Sequence, residues 1–143
     1  MNYTYDYPRP AITVDAVVLF RSADISNILL VRRKNPPFDG YWSFPGGFVD
    51  ENETLEEAVA RETEEETGLK GLFFNQFKAF SEPNRDPRHR TITVVFYAFV
   101  SSDISAMAGD DAAEAEWFPL DHLPDLAFDH GIILKEFLTF INE

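Results

Sequence analysis

The stretch Gly46 to Leu69, GGFVDENETLEEAVARETEEETGL, constrains the fold of this chain more than any other. It reads as a loop feeding a helix. Thr54, followed three residues later by Glu57, forms a capping box that places the helix start at Leu55. Gly68 is a natural residue to follow a helix, so the helix stops near Thr67. At helical spacing Leu55, Ala58 and Val59 share one face, which continues through Glu62, Glu65 and Glu66 to Leu69. Glu56, Ala60, Glu64 and Thr67 fall on the opposite side, expected to be wet.

A solvated acidic helix is the ordinary reading of a Glu-rich run, and it fits Glu56 and Glu64. It fits Glu62, Glu65 and Glu66 badly. Like charges at these spacings repel, and half-burying carboxylates without partners costs several kcal/mol, roughly. Three inward carboxylates therefore need a counter-charge. Oxygen ligands with no Cys and no nearby His select a hard cation, Mg²⁺ or Mn²⁺, over Zn²⁺. Arg61 sits four residues from both Glu57 and Glu65, and its permanently charged guanidinium can hold a carboxylate in place.

The spacing Gly47, five residues, Glu53, seven residues, then Arg61-Glu62-Thr63-x-Glu65-Glu66-x-Gly68-Leu69 resembles the signature of the Nudix hydrolases. Members of that family hydrolyse nucleoside diphosphates linked to another group. Every charged and glycine position of the signature is present. Thr63 departs, standing where a bulky aliphatic residue is usual, and its placement points to a packing role. A match at so many fixed positions is far more specific than a lone glycine motif.

The chain length suits one domain, residues 1–143, with a single core. With no Cys, disulfides and thiolate sites are excluded, which fits a reducing compartment. No apolar run reaches membrane-spanning length, and the N-terminus lacks the basic and apolar parts of a secretion signal. A cytoplasmic protein without a membrane partner is the expectation. A formal net charge of −13 argues against nucleic-acid polymers as partners. It leaves room for a small phosphate-bearing substrate where cations or a few Arg residues invert the local field.

Along the chain, Met1 to Pro10 reads as an extended arm, because Pro8 and Pro10 prevent a regular helix. Strands are expected at Ala11 to Phe20, Asn27 to Arg33, Tyr41 to Phe48, Leu72 to Ser81, Thr91 to Val100 and Glu114 to Pro119. Asp15 interrupts the first apolar run; a buried, partnered acid is the reading adopted, with a cleft-facing acid as the alternative. Asp129 to Asn142 reads as an amphipathic helix capped by Asp129, with Ile132, Ile133, Phe137 and Phe140 on its apolar face. The pattern gives a mixed sheet between helices. The resemblance implies the same α/β/α sandwich, with the signature loop and helix at the active edge.

Further segments are similar to those of ADP-ribose pyrophosphatases: TVDAVV, RRKNPPFDGYWSFPGGFV, the EPNRDPR loop, AGDDAAEAEWFPLDHLP and LAFDH. The likeness runs from about Val14 to about Ile133 and includes a proline shortly after the signature, Pro83. His89-Arg90 departs from the Gly-His of close relatives. Arg90 also resembles a group of Nudix-based transcriptional regulators that sense ADP-ribose and carry a DNA-binding extension. Two features favour an enzyme here: the signature acids are intact, and the sequence ends directly after the last helix.

The resemblance implies Glu62, Glu65 and Glu66 as metal ligands, the Gly46 carbonyl as an extra ligand, and cleavage of ADP-ribose to AMP and ribose 5-phosphate. Glu53 orients the loop through Arg61. Either Glu62 or Asp111 serves as general base, with Asp110 and Glu114 as weaker candidates. Arg33, Arg85 and Arg88 are the candidate phosphate or ribose donors, with Asp86 an acceptor for a ribose hydroxyl. A solvent-facing Arg is the alternative for each of the three. Phe128, Asp129 and His130 open the last helix, where backbone N–H groups can also meet the substrate. Phe38, Trp42 and Phe128 can stack on adenine, with core packing the reading for at least two of them. His122 reads as surface and His89 is undecided. A homodimer is implied by the resemblance. Two other readings stay open: a sensor that binds ADP-ribose without cleaving it, and a Nudix hydrolase of nucleoside triphosphates or dinucleoside polyphosphates.

Overall fold

A computed structural model of the protein describes residues 2–21, 26–101 and 114–142. Its elements are β1 (Ala11–Arg21), β2 (Ser26–Arg32), β3 (Trp42–Ser43), β4 (Gly46–Phe48), α1 (Leu55–Thr67), β5 (Asn75–Phe80), β6 (Thr91–Val100), β7 (Glu114–Pro119) and α2 (His130–Ile141). One seven-stranded mixed sheet runs β3-β2-β1-β6-β5, with β4 paired to β1 and β7 to β2. The long central pair β1–β6 is parallel and the other pairings are antiparallel.

Both faces of β1 are buried, which is why its sequence is nearly continuous in apolar residues. Side chains alternate between the faces. Val14, Ala16 and Val18 pack with Ala58, Val59 and Leu69 around α1. Val17 and Leu19 pack with Ile133, Leu134 and Phe137 of α2. The result is a helix on each face of the sheet, the expected α/β/α sandwich. Among the described residues no helix is long and apolar enough to cross a membrane.

The expected strand at Tyr41 to Phe48 is two short strands interrupted at Phe44-Pro45, because β3 pairs with β2 while β4 pairs with β1. The expected strand at Leu72 begins at Asn75; Leu72 and Phe74 pack instead on the α1 core. Helix α1 has the expected bounds, with both capping-box hydrogen bonds formed at 3.1 and 2.8 Å and Gly68 closing it at φ 78°.

The buried side of α1 differs from the expected one. Thr63 and Thr67 are buried, so Thr67 is not on the wet side. The Thr67 hydroxyl donates to the Thr63 carbonyl at 2.6 Å and accepts from the Leu69 N–H, which satisfies it inside the core. This rotation toward Thr63 and Thr67 leaves Glu62 and Glu66 half-buried at the edge of the core and turns Glu65 outward. In α2 the buried residues are His130, Ile133, Leu134 and Phe137, whereas Ile132 and Phe140 are exposed. Asp129 makes no side-chain capping bond, because its carboxylate is engaged by Arg85.

Candidate active site

The two glycines ahead of α1 allow two close approaches, Gly46 to β1 and Gly47 to the Glu62 carboxylate of α1. A Cβ on Gly46 would lie 2.2 Å from the Val14 carbonyl oxygen, an impossible approach between backbones. A Cβ on Gly47 would lie 2.7 Å from the Glu62 carboxyl carbon. Glycine here lets the Glu62 carboxylate lie flat on the β4 backbone. The Gly46 N–H donates to Glu66 Oε1 at 2.7 Å, tying helix to strand.

Arg61 holds the acidic side of the site together. Its guanidinium forks onto Glu53 at 2.6 and 3.0 Å, reaches Glu62 at 2.8 Å and Glu65 at 3.2 Å, and donates to the Phe48 carbonyl at 3.1 Å. The hydrogen bonds from Arg61, helped by the Asp50 N–H, hold the Glu53 carboxyl down at about 2. Glu53 in turn raises the Arg61 guanidinium further above its ordinary value. The expected link between Glu53, Arg61 and the loop is therefore present. Glu57 is engaged in the capping box.

Beside this cluster lies a cavity of about 360 Å³. Glu62 and Glu66 line it, with Gly46 and Gly47, while Glu53, Arg61 and Glu65 stand behind or beside its wall. Five of the twelve Lys and Arg residues also line it: Arg32, Arg33, Lys34, Arg85 and Arg88. Five acids line it as well, Asp15, Asp50, Glu62, Glu66 and Asp86, so the cavity is charge-balanced in a chain of net charge −13 and repels an anion less than the rest of the molecule does. Among the described residues no three acidic, His or Cys side chains are gathered into a closed metal cage. The donor set nonetheless suits a hard cation. It is oxygen only, with two carboxylates four residues apart on one helix, and Mg²⁺ in phosphate sites takes one or two carboxylates plus substrate and water oxygens.

The expected arginine donors are already engaged. Arg85 is buried and forks onto Asp129 at 2.8 and 2.9 Å, joining the 82–90 loop to the start of α2. Arg88 forks onto Asp86 at 2.7 and 3.1 Å. Burial pushes the Asp86 carboxyl up, but the bonds and charge of Arg88 outweigh it and hold the group below its usual range. Asp86 and Asp129 thus act first as anchors for the guanidiniums. Arg33 donates to the Pro37 carbonyl at 2.8 Å and lies over the Phe128 ring, where Arg88 also stacks.

Phe128 lies in the cavity wall with φ 53°, against Phe38 with φ 63°. Trp42 packs edge-on against Phe118 in the α2-side core and is not a platform for a ligand. His122 is exposed; His89 bonds to Thr91 through Nδ1 at 2.8 Å. Glu114 pairs with Arg32 at 2.6 Å across the strand register. Asp110 and Asp111 lie outside the described residues.

Asp15 was underrated in the sequence, and His130, expected as a substrate contact, joins it in the cavity wall. Asp15 is buried by alternation onto the α2 side of β1, and it also faces the cavity. Burial raises its carboxyl to about 6, against the opposing hydrogen bond from Thr93 at 2.6 Å. His130 is buried beside it, with Nε2 3.7 Å from Asp15 Oδ1. Its Nδ1 accepts from the Phe44 N–H at 3.1 Å and its ring stacks on Phe44. Burial lowers it to about 3, so the imidazole is neutral near pH 7. A single Asp in an otherwise apolar strand was the only signal for Asp15.

The chain is 46% identical over 136 residues to an ADP-ribose pyrophosphatase of Methanocaldococcus jannaschii, covering 95% of this chain and 78% of that protein. It is 32% identical to an ADPR-responsive transcriptional repressor of Acinetobacter baylyi, covering 96% of this chain and 56% of the repressor. Its fold matches the NUDIX domain of Shewanella oneidensis NrtR complexed with ADP ribose at a TM-score of 0.89. That match has 31% identity and covers 98% of this chain and 94% of the other. The NUDIX domain model matches residues 9–138, and this chain belongs to the Nudix family.

Proposed function

We propose that this protein hydrolyses the pyrophosphate bond of ADP-ribose, releasing AMP and ribose 5-phosphate. The observation that carries the reading is one cavity lined both by the α1 carboxylates Glu62 and Glu66 and by the guanidiniums of Arg33 and Arg88. The archaeal pyrophosphatase at 46% identity and the ADP-ribose-bound NrtR domain support the choice of substrate. Nudix hydrolases generally use divalent cations; Glu62, Glu66 and the Gly46 carbonyl would hold Mg²⁺ or Mn²⁺, while Glu65, turned outward onto Arg61, would join only after turning inward. A bound cation neutralises the pyrophosphate and acidifies a water.

The chain's own residues do the rest. Arg61 keeps the carboxylates oriented, as outer groups do around a metal site. Arg33 and Arg88, stacked on Phe128 in the cavity wall, orient the phosphates. A carboxylate oxygen of Glu62 or Asp111 takes the proton from the attacking water. The reading treats residues 1–143 as one Nudix domain acting in the cytoplasm as a homodimer. Exposed Tyr3, Tyr5 and Tyr7 give uncovered apolar surface for the dimer.

A binding-only sensor is the alternative reading, and the 32% likeness to the ADPR-responsive repressor supports it less than the 46% likeness to the pyrophosphatase supports hydrolysis. Chromatography of products from a panel of ADP-ribose, nucleoside triphosphates and dinucleoside polyphosphates with Mg²⁺ separates the two. AMP and ribose 5-phosphate from ADP-ribose are expected. Binding without products would establish the sensor.

A further inference from the structure

Asp15 and His130 each carry a polar atom with no hydrogen-bond partner among the described residues. Asp15 Oδ2 accepts from Thr93, which leaves Oδ1. His130 Nδ1 accepts from the Phe44 N–H, so in the neutral ring Nε2 carries the proton. These two atoms face each other at 3.7 Å, too far for a direct hydrogen bond. Both residues line the cavity, and neither atom is among the buried polar atoms left without a partner. Their unused capacity therefore opens into the cavity. Gly46 keeps the approach clear, since a Cβ there would lie 2.5 Å from Asp15 Oδ1.

The chemistry of the pair narrows what it takes. A phosphate ester offers no proton to a carboxylate, which would repel it. A cation finds no lone pair on Nε2–H. A hydroxyl is both donor and acceptor, so one hydroxyl can donate to Oδ1 and accept from Nε2–H together. We propose that Asp15 and His130 form a hydroxyl-reading site that grips one ribose hydroxyl of the nucleotide-sugar substrate and determines specificity for it. The site rests on the substrate reading above and adds to it a second recognition point on the α2 side of the cavity. Stacking on Phe44 and the bond from Phe44 N–H fix the imidazole; the Thr93 bond fixes the carboxylate. The donor–acceptor pair is thus rigid before substrate arrives, and such a site rejects an analogue that leaves it unpaired.

The test is a cycle of variants against substrates. Specificity constants are measured for wild type, Asp15→Asn and His130→Asn on three substrates: ADP-ribose, its analogue with 2′-deoxyadenosine, and its analogue with a 2-deoxy distal ribose. One analogue should lose about ten- to a hundredfold with wild type, as expected for one charge-assisted hydrogen bond. Which one it is identifies the ribose that is read. Asp15→Asn should lose a similar factor on ADP-ribose and little more on that analogue. Losses that multiply on every substrate would overturn the proposal, since they would mean a general structural role or a bound water. So would a shift in the Mg²⁺ concentration for half-maximal rate with Asp15→Asn. The wild-type arm needs no variant to fold; if neither analogue is discriminated, the proposal fails. If ADP-ribose is not cleaved at all, the substrate reading fails separately, and the same cycle is read from dissociation constants by calorimetry.

Discussion

Thr63 is buried on α1, and its hydroxyl has no hydrogen-bond partner, unlike that of Thr67 one turn later. Replacing it with the isosteric valine should stabilise the protein by about 1–2 kcal/mol, or roughly 3–6 °C in Tm. Turnover should change little; differential scanning calorimetry beside an activity assay checks both. Arg61 is the opposite case, a residue whose every donor is used. A lysine cannot reproduce its fork, so Arg61→Lys should lower turnover about ten- to a hundredfold. Rates measured across Mg²⁺ concentrations will show this loss and a weaker cation response. Residue roles of this kind were legible where partners are close in sequence: Thr54 with Glu57, and Arg61 with Glu65. Asp15 with His130, and Arg85 with Asp129, were not, because only the packing of α2 against the sheet brings them together.

At the scale of elements, α1 could be bounded from its caps because capping is local chemistry. Its buried side could not be fixed as well, since threonine reads as polar until its hydroxyl finds a backbone partner in the core. The split between β3 and β4 was hidden for a different reason, because it depends on which neighbouring strand each half joins. The contact between the 82–90 loop and α2 rests on Arg85 and Asp129. Arg85→Ala leaves a half-buried carboxylate unpaired and should cost about 3 kcal/mol or more. Arg88, a third exposed, should cost less stability when replaced by alanine and mainly weaken ADP-ribose hydrolysis. Urea unfolding and steady-state kinetics of both variants separate these effects.

The start of α2 also makes stability depend on pH. His130 titrates near 6.5 when unfolded and near 3 when folded, so above 6.5 it is neutral in both states and its contribution is complete. Below that, the unfolded chain takes up a His130 proton that the folded one refuses, so the His130 contribution falls until about pH 3. Asp15, raised from 3.8 to about 6 by burial, acts in the opposite sense between about pH 6 and pH 4 and offsets part of the loss. The slope is at most about 1.4 kcal/mol per pH unit. Thermal unfolding of wild type and His130→Gln between pH 7 and pH 4 should show a shallower acid loss in the variant.

Across the whole molecule, charge is distributed unevenly. The chain carries a net −13, yet nearly half of its Lys and Arg residues border one cavity that also holds Glu62 and Glu66. Composition alone pointed away from nucleic-acid polymers but could not locate this concentration. The fold does so by bringing β2, β4, the 82–90 loop and α1 around one cavity beside β1. The central claim is that the α1 carboxylates there support hydrolysis of ADP-ribose. Its most direct test is chromatographic product analysis of ADP-ribose incubated with Mg²⁺ and either wild type or Glu66→Gln, with circular dichroism to establish folding. The account predicts AMP and ribose 5-phosphate from wild type and a loss of about a hundredfold or more in a folded Glu66→Gln protein. Near-normal turnover in that folded variant, or intact ADP-ribose after incubation with wild type, would contradict it.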